Sequence, residues 1–272
     1  MYIKRFSLFL FVFFILSCGN YSLLEKIGPQ DDMDYFMFKA GNIWEFSAKT
    51  IETPGDTKNS LLRLIMIENP KFKNAQYLSF VYSSSNDGDI EFSFETNYNS
   101  AFIKSAYGYH NAINLLNEFS TNTTGAVGYP EYLTFPFIKF PFVEGLSNNF
   151  TADQVISNYP LSQAVSPGPV NIHIDGSMII EQNNLTLEVM GTEYTRCIKV
   201  KYSYIMEITS LIDNLPYAAG DSIFYAKEDS QYYLAPNTGM IRITRLRSER
   251  NELNQFSEWY LNAELLQFSP SM

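Results

Sequence analysis

The feature that most constrains this chain is a period-two alternation of apolar and polar residues, repeated in short runs separated by turn signals. Trp44, Phe46, Ala48 and Thr50 alternate with Ile43, Glu45, Ser47 and Lys49, which predicts a strand with its aromatic side inward. Thr53-Pro54-Gly55-Asp56 reads as a turn, and Leu61 to Glu68 as a nearly continuous apolar strand. Asn74 to Ser83 is a further strand. Asn86-Asp87-Gly88 is a hairpin signal ahead of the alternating Ile90, Phe92 and Phe94.

The second half repeats the pattern. Regularity returns with Val170 to Glu181, where Ile172 and Ile174, then Met178 and Ile180, bracket Asp175-Gly176, and Leu185, Leu187 and Val189 alternate up to Gly191-Thr192. Tyr194 to Thr209 is the longest strand candidate; Ser222–Lys227, Gln231–Ala235, Gly239–Leu246 and Phe256–Phe268 follow as a meander. About eleven strands at short spacing are expected. Phe and Tyr number 22 and 19, and aromatic side chains suit half-buried pleated surfaces, so composition agrees with pattern.

Two stretches are expected to break the regularity. Ala112 to Phe119, with Ile113, Leu115, Leu116 and Phe119, predicts a short amphipathic helix. Gly125 to Gly168 carries Pro130, Pro136, Pro141, Pro160 and Pro167 and reads as irregular. The expected fold is therefore all-β: an antiparallel, strongly curved sheet or a barrel-like sandwich, with at most one short helix.

The first twenty residues set the address. Lys4 and Arg5 precede an apolar run from Phe6 to Leu16, and Ile15-Leu16-Ser17-Cys18 places a small residue directly before a cysteine. That is the layout of a secretory signal. A run of 11 residues falls short of the roughly 20 that a membrane-spanning helix requires. The terminal Cys resembles a bacterial lipobox, and the resemblance implies cleavage before Cys18 followed by acylation of its thiol and new amine. Residues 1–17 are then a signal peptide, 18–34 a lipidated Cys and tether, and 35–268 a single β domain. Gly19 in place of an Asp implies, by the same resemblance, the outer membrane (its periplasmic face or the cell surface). Sixteen tether residues, Gly19 to Asp34, span at most about 50 Å.

Without residues 1–17 the chain carries 17 basic and 29 acidic residues, a formal charge of −12. This argues against nucleic acid, whose partners present a basic stripe. It also argues against a polybasic contact with lipid, leaving the Cys18 anchor as the link to the membrane. With Cys18 acylated, Cys197 has no partner for an intrachain disulfide, so stability rests on the core.

The search for chemistry returns little. Gly-x-Ser-x-Gly, Ser-x-x-Lys, His-Glu-x-x-His, Cys-x-x-Cys and the phosphate-binding glycine loop are all absent from the sequence. His110 and His173 are expected to be structural or surface residues, and Cys197 a small buried hydrophobe rather than a reactive thiol. Asn86-Asp87-Gly88-Asp89-Ile90-Glu91 offers oxygen ligands but misses the calcium-loop spacing, so a solvated hairpin is expected. Glu91 and Glu95 share a strand face without forming an acid–base pair by sequence logic. No cofactor, metal or catalytic residue is expected. The cluster Tyr129, Tyr132, Phe135, Phe137, Phe140 and Phe142 is the candidate ligand-binding lining, either core or the wall of an apolar cavity.

Three pieces of the second half resemble a pattern in uncharacterised exported bacterial proteins, many of them lipoproteins. They are Phe140-Pro141-Phe142-Val143-Glu144-Gly145, Gly191-Thr192-Glu193-Tyr194-Thr195-Arg196-Cys197, and Tyr232-Tyr233-Leu234-Ala235 with Gly239-Met240-Ile241. The resemblance covers about Phe135 to Leu246 and implies a β half-barrel like those of lipoprotein carriers and receptors; it implies no activity. The Phe-rich leader is similar to those of spirochaete lipoproteins. The expected function is a non-enzymatic, membrane-anchored envelope lipoprotein with a binding or structural role, partnered by an apolar ligand or an envelope protein. The alternative is a surface-exposed, adhesin-like interaction protein.

Overall fold

Inward aromatic and branched residues on alternate positions, with polar ones between them, favour pleated strands over helices at almost every described position. The computed structural model describes residues 34–52, 55–68, 77–86, 93–95, 100–105, 108–113, 133–139, 142–159, 168–213, 218–251 and 254–271. Among them are thirteen strands and no helix. The first seven are β1 (Ile43–Glu52), β2 (Asp56–Glu68), β3 (Tyr77–Asn86), β4 (Ser93–Glu95), β5 (Ser100–Ser105), β6 (Gly108–Ile113) and β7 (Leu133–Lys139). The remainder are β8 (Ser147–Tyr159), β9 (Gly168–Val189), β10 (Thr192–Ser210), β11 (Ser222–Ala235), β12 (Gly239–Arg250) and β13 (Phe256–Ser269).

All belong to one antiparallel sheet, ordered β7-β6-β5-β3-β2-β1-β13-β12-β11-β10-β9-β8, with β4 paired to β3. The sheet is not closed: β7 and β8 lie at its two ends. It consists of two meanders in sequence, joined where β1 pairs with β13, Ile43 opposite Ser269 and Ala48 opposite Ala263.

One face carries the core. Trp44, Phe46 and Ala48 of β1 point inward, as their alternation predicts, and meet Leu64 and Met66 of β2 and Ala263 and Leu265 of β13. Met178 and Ile180 of β9, with Ile198, Val200 and Tyr202 of β10, complete the main apolar cluster. A second cluster gathers Val170, Ile172, Ile174, Met206, Ile208, Ile223 and Ala226 at the other end of the same strands. The opposite face holds ion pairs such as Lys199–Glu181 at 2.7 Å and Arg242–Glu264 at 2.9 Å, with the Tyr233 ring between the two cations.

Several expectations are corrected. Ala112 and Ile113, placed in a helix by their spacing, end β6, pairing with Thr134 and Leu133 of β7; residues 114–119 lie outside the described residues. The stretch 125–168 holds two strands. Pro136 sits in β7 at the end of the sheet order, where a missing N–H is tolerated, and its pairing follows a bulge at Tyr109/His110. The polar strand β8 is the other end strand, so few of its residues need to be apolar. Val170–Glu181 and Leu185–Val189, read as successive runs, join into β9, with Asp175-Gly176 inside it. A Cβ on Gly176 would lie 2.5 Å from Cζ of Phe150 and 2.7 Å from the Ser203 carbonyl, so glycine admits the Phe150 ring, which stacks on Tyr202. Ser222–Lys227 and Gln231–Ala235 likewise fuse into β11.

Candidate functional site

Asp34 to Asn42 crosses one end of the sheet as a strap, tied down at nearly every residue. The Asp34 carboxylate accepts the amides of Phe36 and Met37 at 3.0 and 2.8 Å, turning the chain sharply. Its carbonyl accepts the Asn237 amide in the β11–β12 turn at 2.9 Å. Tyr35 and Phe36 are buried, and the Tyr35 hydroxyl donates to the Arg196 carbonyl at 2.8 Å. Asn42, fully buried, donates to the Met37 carbonyl and accepts the Ser271 amide, both at 2.7 Å. Its own carbonyl accepts the Met66 amide at 2.9 Å. The strap thus fastens β2, β10, the β11–β12 turn and the segment after β13 to one another.

The β11–β12 turn is held from β1 as well as from the strap. The Trp44 indole N–H donates to the Thr238 carbonyl at 2.7 Å, and its ring lies against Gly239, where a Cβ would meet the indole at 3.1 Å. Gly239 also has φ +85, a left-handed conformation that glycine adopts without strain.

A half-open cavity of about 210 Å³ lies beside the strap, lined by Tyr35, Phe142, Asn183, Asn184, Arg196 and Ile198. The Phe142 ring packs edge-on against Tyr35 at 4.8 Å between centroids, and its carbonyl accepts the Asn183 side-chain amide at 3.1 Å. Asn184 and Arg196 stand on adjoining strands at a break in the β9–β10 register, with φ of 56° and 58°. Left-handed backbone is unusual for a residue as large as arginine and costs on the order of 1–3 kcal/mol. The volume falls below the roughly 300–1,000 Å³ of drug-sized apolar sites. It equals about seven waters at roughly 30 Å³ each.

Of the residues singled out in the sequence, the structure brings Phe142 to this cavity. Phe135 and Phe137 belong to β7. Cys18, Tyr129, Tyr132 and Phe140 lie outside the described residues, as do residues 87–92 with Glu91. Asn86 ends β3, Glu95 ends β4 and His110 lies on β6. His173 is on the outward face of β9, its Nδ1 2.8 Å from the Asp153 carboxylate; the histidine holds the Asp153 carboxyl below its usual range. Cys197 is fully buried, with its thiol against the Tyr194 and Thr195 carbonyls at 3.5 and 3.8 Å. Burial pushes this thiol up to about 11, which leaves little thiolate at neutral pH. The three resembling pieces converge on the strap: Phe142 packs on Tyr35, Arg196 accepts its hydroxyl, and the turn before Gly239 accepts Trp44 and holds Asp34.

Pattern reading missed Tyr35, Asn183, Asn184 and Arg196, and a polar cluster on the inner face. Glu228 is 5% exposed. It accepts the Ser230 hydroxyl at 2.7 Å and the Tyr204 hydroxyl at 3.1 Å. Arg245 and Arg247 approach it at 3.2 and 3.6 Å. Arg245 also donates to the Tyr232 hydroxyl at 3.0 Å, and Arg247 to the Glu249 carboxylate at 3.0 Å. Burial, then the Glu228 charge, drives the Tyr204 phenol far above its ordinary range. The cluster sits at the junction of the two apolar clusters, with Tyr204 touching both. Its charges balance, so it reads as a structural network. Parity along β11 was the available signal: Glu228 falls in step with the buried Ala226, Tyr232 and Leu234.

Among the described residues, no three His, Cys, Asp or Glu side chains are grouped to hold a metal ion. No protein-family model matches the chain, and no curated protein matches it. Among solved structures, the chain is similar to an exported protein of Bacteroides fragilis described as having a YmcC-like fold. The identity is 13% and the TM-score 0.33, over 87% of this chain and 99% of that one.

Proposed function

We propose that the chain is a lipoprotein of the bacterial cell envelope, acylated on Cys18, with a non-catalytic binding or structural role. The leader layout, similar to those of spirochaete lipoproteins, supports the anchor, and Gly19 in place of an Asp after Cys18 supports its outer-membrane placing. The observation that carries the role is the strap. A tether joined at Asp34 meets a chain already fastened to four parts of the sheet, so a pull from the membrane is borne by the whole fold. Beside that junction, Phe142 and Tyr35 give a ligand site its apolar wall. Growth of expressing cells with labelled palmitate tests the anchor: label should enter the protein and vanish in Cys18→Ala. Equal labelling of the two, or none in either, would sink the reading.

A second reading, a surface interaction protein, is favoured by one row on the outward face. Ile51, Tyr260 and Leu246 stand directly opposite one another across β1, β13 and β12, and all three are exposed. Protease treatment of intact cells separates the two: degradation of the domain is expected for a surface protein, protection for one facing the periplasm.

A further inference from the structure

We infer that the outer edge of β8 is a self-association surface, on which a second copy of this chain adds its own β8 antiparallel and joins two sheets into one. The inference is independent of acylation at Cys18.

The two ends of the sheet differ. β7 is 7 residues long and carries Pro136, and shortness and proline both blunt an edge. β8 runs for 13 residues and contains no proline, lysine or arginine. Its register with β9 is unbroken from Ser147 to Ile156. Leu146 accepts the Ile180 amide at 3.0 Å, and alternate residues of an antiparallel strand bond to the same neighbour. The even-numbered residues from Leu146 to Ala152 therefore bond to β9, and Ser147, Asn149, Thr151, Asp153 and Val155 turn their N–H and C=O away from it. No described strand pairs with β8 on that side. All five residues are exposed, Val155 by 56%, so the stretch is open to an incoming strand.

Charge and volume select the occupant. Asp153 is the one charged residue of β8. With a two-fold axis at Thr151, that residue meets its own copy, Asn149 faces the second copy's Asp153, and Ser147 faces the second copy's Val155. Each carboxylate then lies opposite an amide donor, on both sides of the axis. On the inner face Phe150, which packs against the apolar core, falls opposite the small Ala152. Moving the axis to Phe150 sets ring against ring. Moving it to Asp153 sets carboxylate against carboxylate, which is destabilising across a sheet. A strand of unrelated sequence carries no such built-in match.

Sedimentation velocity of the full chain in nonionic micelles, over a dilution series, tests this. A reversible dimer is expected. Thr151→Pro removes an N–H that faces the second copy and none that faces β9, so it should weaken association about tenfold or more while the Trp44 fluorescence of the folded state is kept. A parent that stays monomeric at every concentration overturns the proposal, as does a dimer that Thr151→Pro leaves unchanged. Mild oxidation gives a second readout, which stands even if the proline variant fails to fold. Thr151→Cys should link to its own copy above the background of the parent, since facing residues of a hydrogen-bonded pair have Cα atoms about 5.5 Å apart, within disulfide reach. Ser147→Cys should not link, because the two copies of that residue would stand about 27 Å apart along the strands. Equal linking of the two variants, or none in either, overturns the pairing at Thr151.

Discussion

Glu228→Gln isolates the inner-face cluster, because it removes the charge and preserves the shape. The native carboxylate is 5% exposed and has two hydroxyl donors and two guanidinium groups within 3.6 Å. The amide retains the hydroxyl contacts but leaves Arg245 and Arg247 with Glu249 as the remaining carboxylate of the cluster. Removing one partner of a buried ion pair costs about 3–5 kcal/mol, against about 1 kcal/mol or less for an exposed pair. With a urea m-value near 3 kcal/mol/M for a domain of this size, the midpoint should fall by about 1 to 1.7 M. Trp44, fully buried at the strap, reports unfolding by its fluorescence. A triple change, Glu228→Met with Arg245→Leu and Arg247→Leu, removes the buried carboxylate together with both its cations, leaving the Ser230, Tyr204 and Tyr232 hydroxyls and the partly exposed Glu249, and should cost less than the single change, since apolar replacement of a buried ion network is often neutral. A midpoint unmoved in Glu228→Gln, or a triple variant weaker than the single one, would refute the view that the cost lies in stranded charge.

Two further perturbations follow from close packing. Gly176→Ala places a methyl against the Ser203 carbonyl and the Phe150 ring, and overpacking of this kind should cost about 1–3 kcal/mol, read as a lower urea midpoint; unchanged stability would show that β8 moves away freely. Cys197 should resist iodoacetamide at pH 8 in the folded protein and react once urea unfolds it. Because its folded pKa of about 11 lies above the unfolded value, the unfolded chain releases the proton first. Its contribution to stability is therefore complete below pH 9 and is lost as pH rises from 9 toward 11. The raised Tyr202 and Tyr204 phenols act in the same direction at still higher pH. Stability that climbed across that range would contradict the burial of all three groups.

Fold class was legible in the sequence because the apolar residues of β1, of β9 up to Ile180 and of β10 from Ile198 keep parity, and parity is a local signal. Strand ends were less legible. Asp175-Gly176 has the composition of a turn, yet the glycine answers to Phe150, 26 residues earlier in the chain, which no local window contains. End strands such as β7 and β8 satisfy one neighbour only, so they tolerate Pro136 and the polar run from Ser147 and lose the alternation that marks interior strands. The site was harder still. Phe142 stood out as one aromatic among six, whereas Tyr35 lay at the edge of a stretch read as tether. Arg196 and Asn184 gain their meaning from an irregular register between two strands, which composition does not encode. Cys197 was legible for the opposite reason: a lone cysteine amid a strand's buried positions needs only burial to explain it.

The seam between the two meanders has a kinetic meaning. β13 meets β1 across a sequence separation of 226 residues, Ile43 to Ser269, while nearly every other pairing joins strands adjacent in sequence. Each meander can zip from its own hairpins, but Trp44 and Phe46 stay uncovered on one flank until the last strand has been made and brought back. Such non-local closure slows folding, since its entropy is lost before its contacts form. A chain synthesised from its amino terminus therefore cannot complete this sheet until β13 has been made, and β1 keeps an unpaired edge until then.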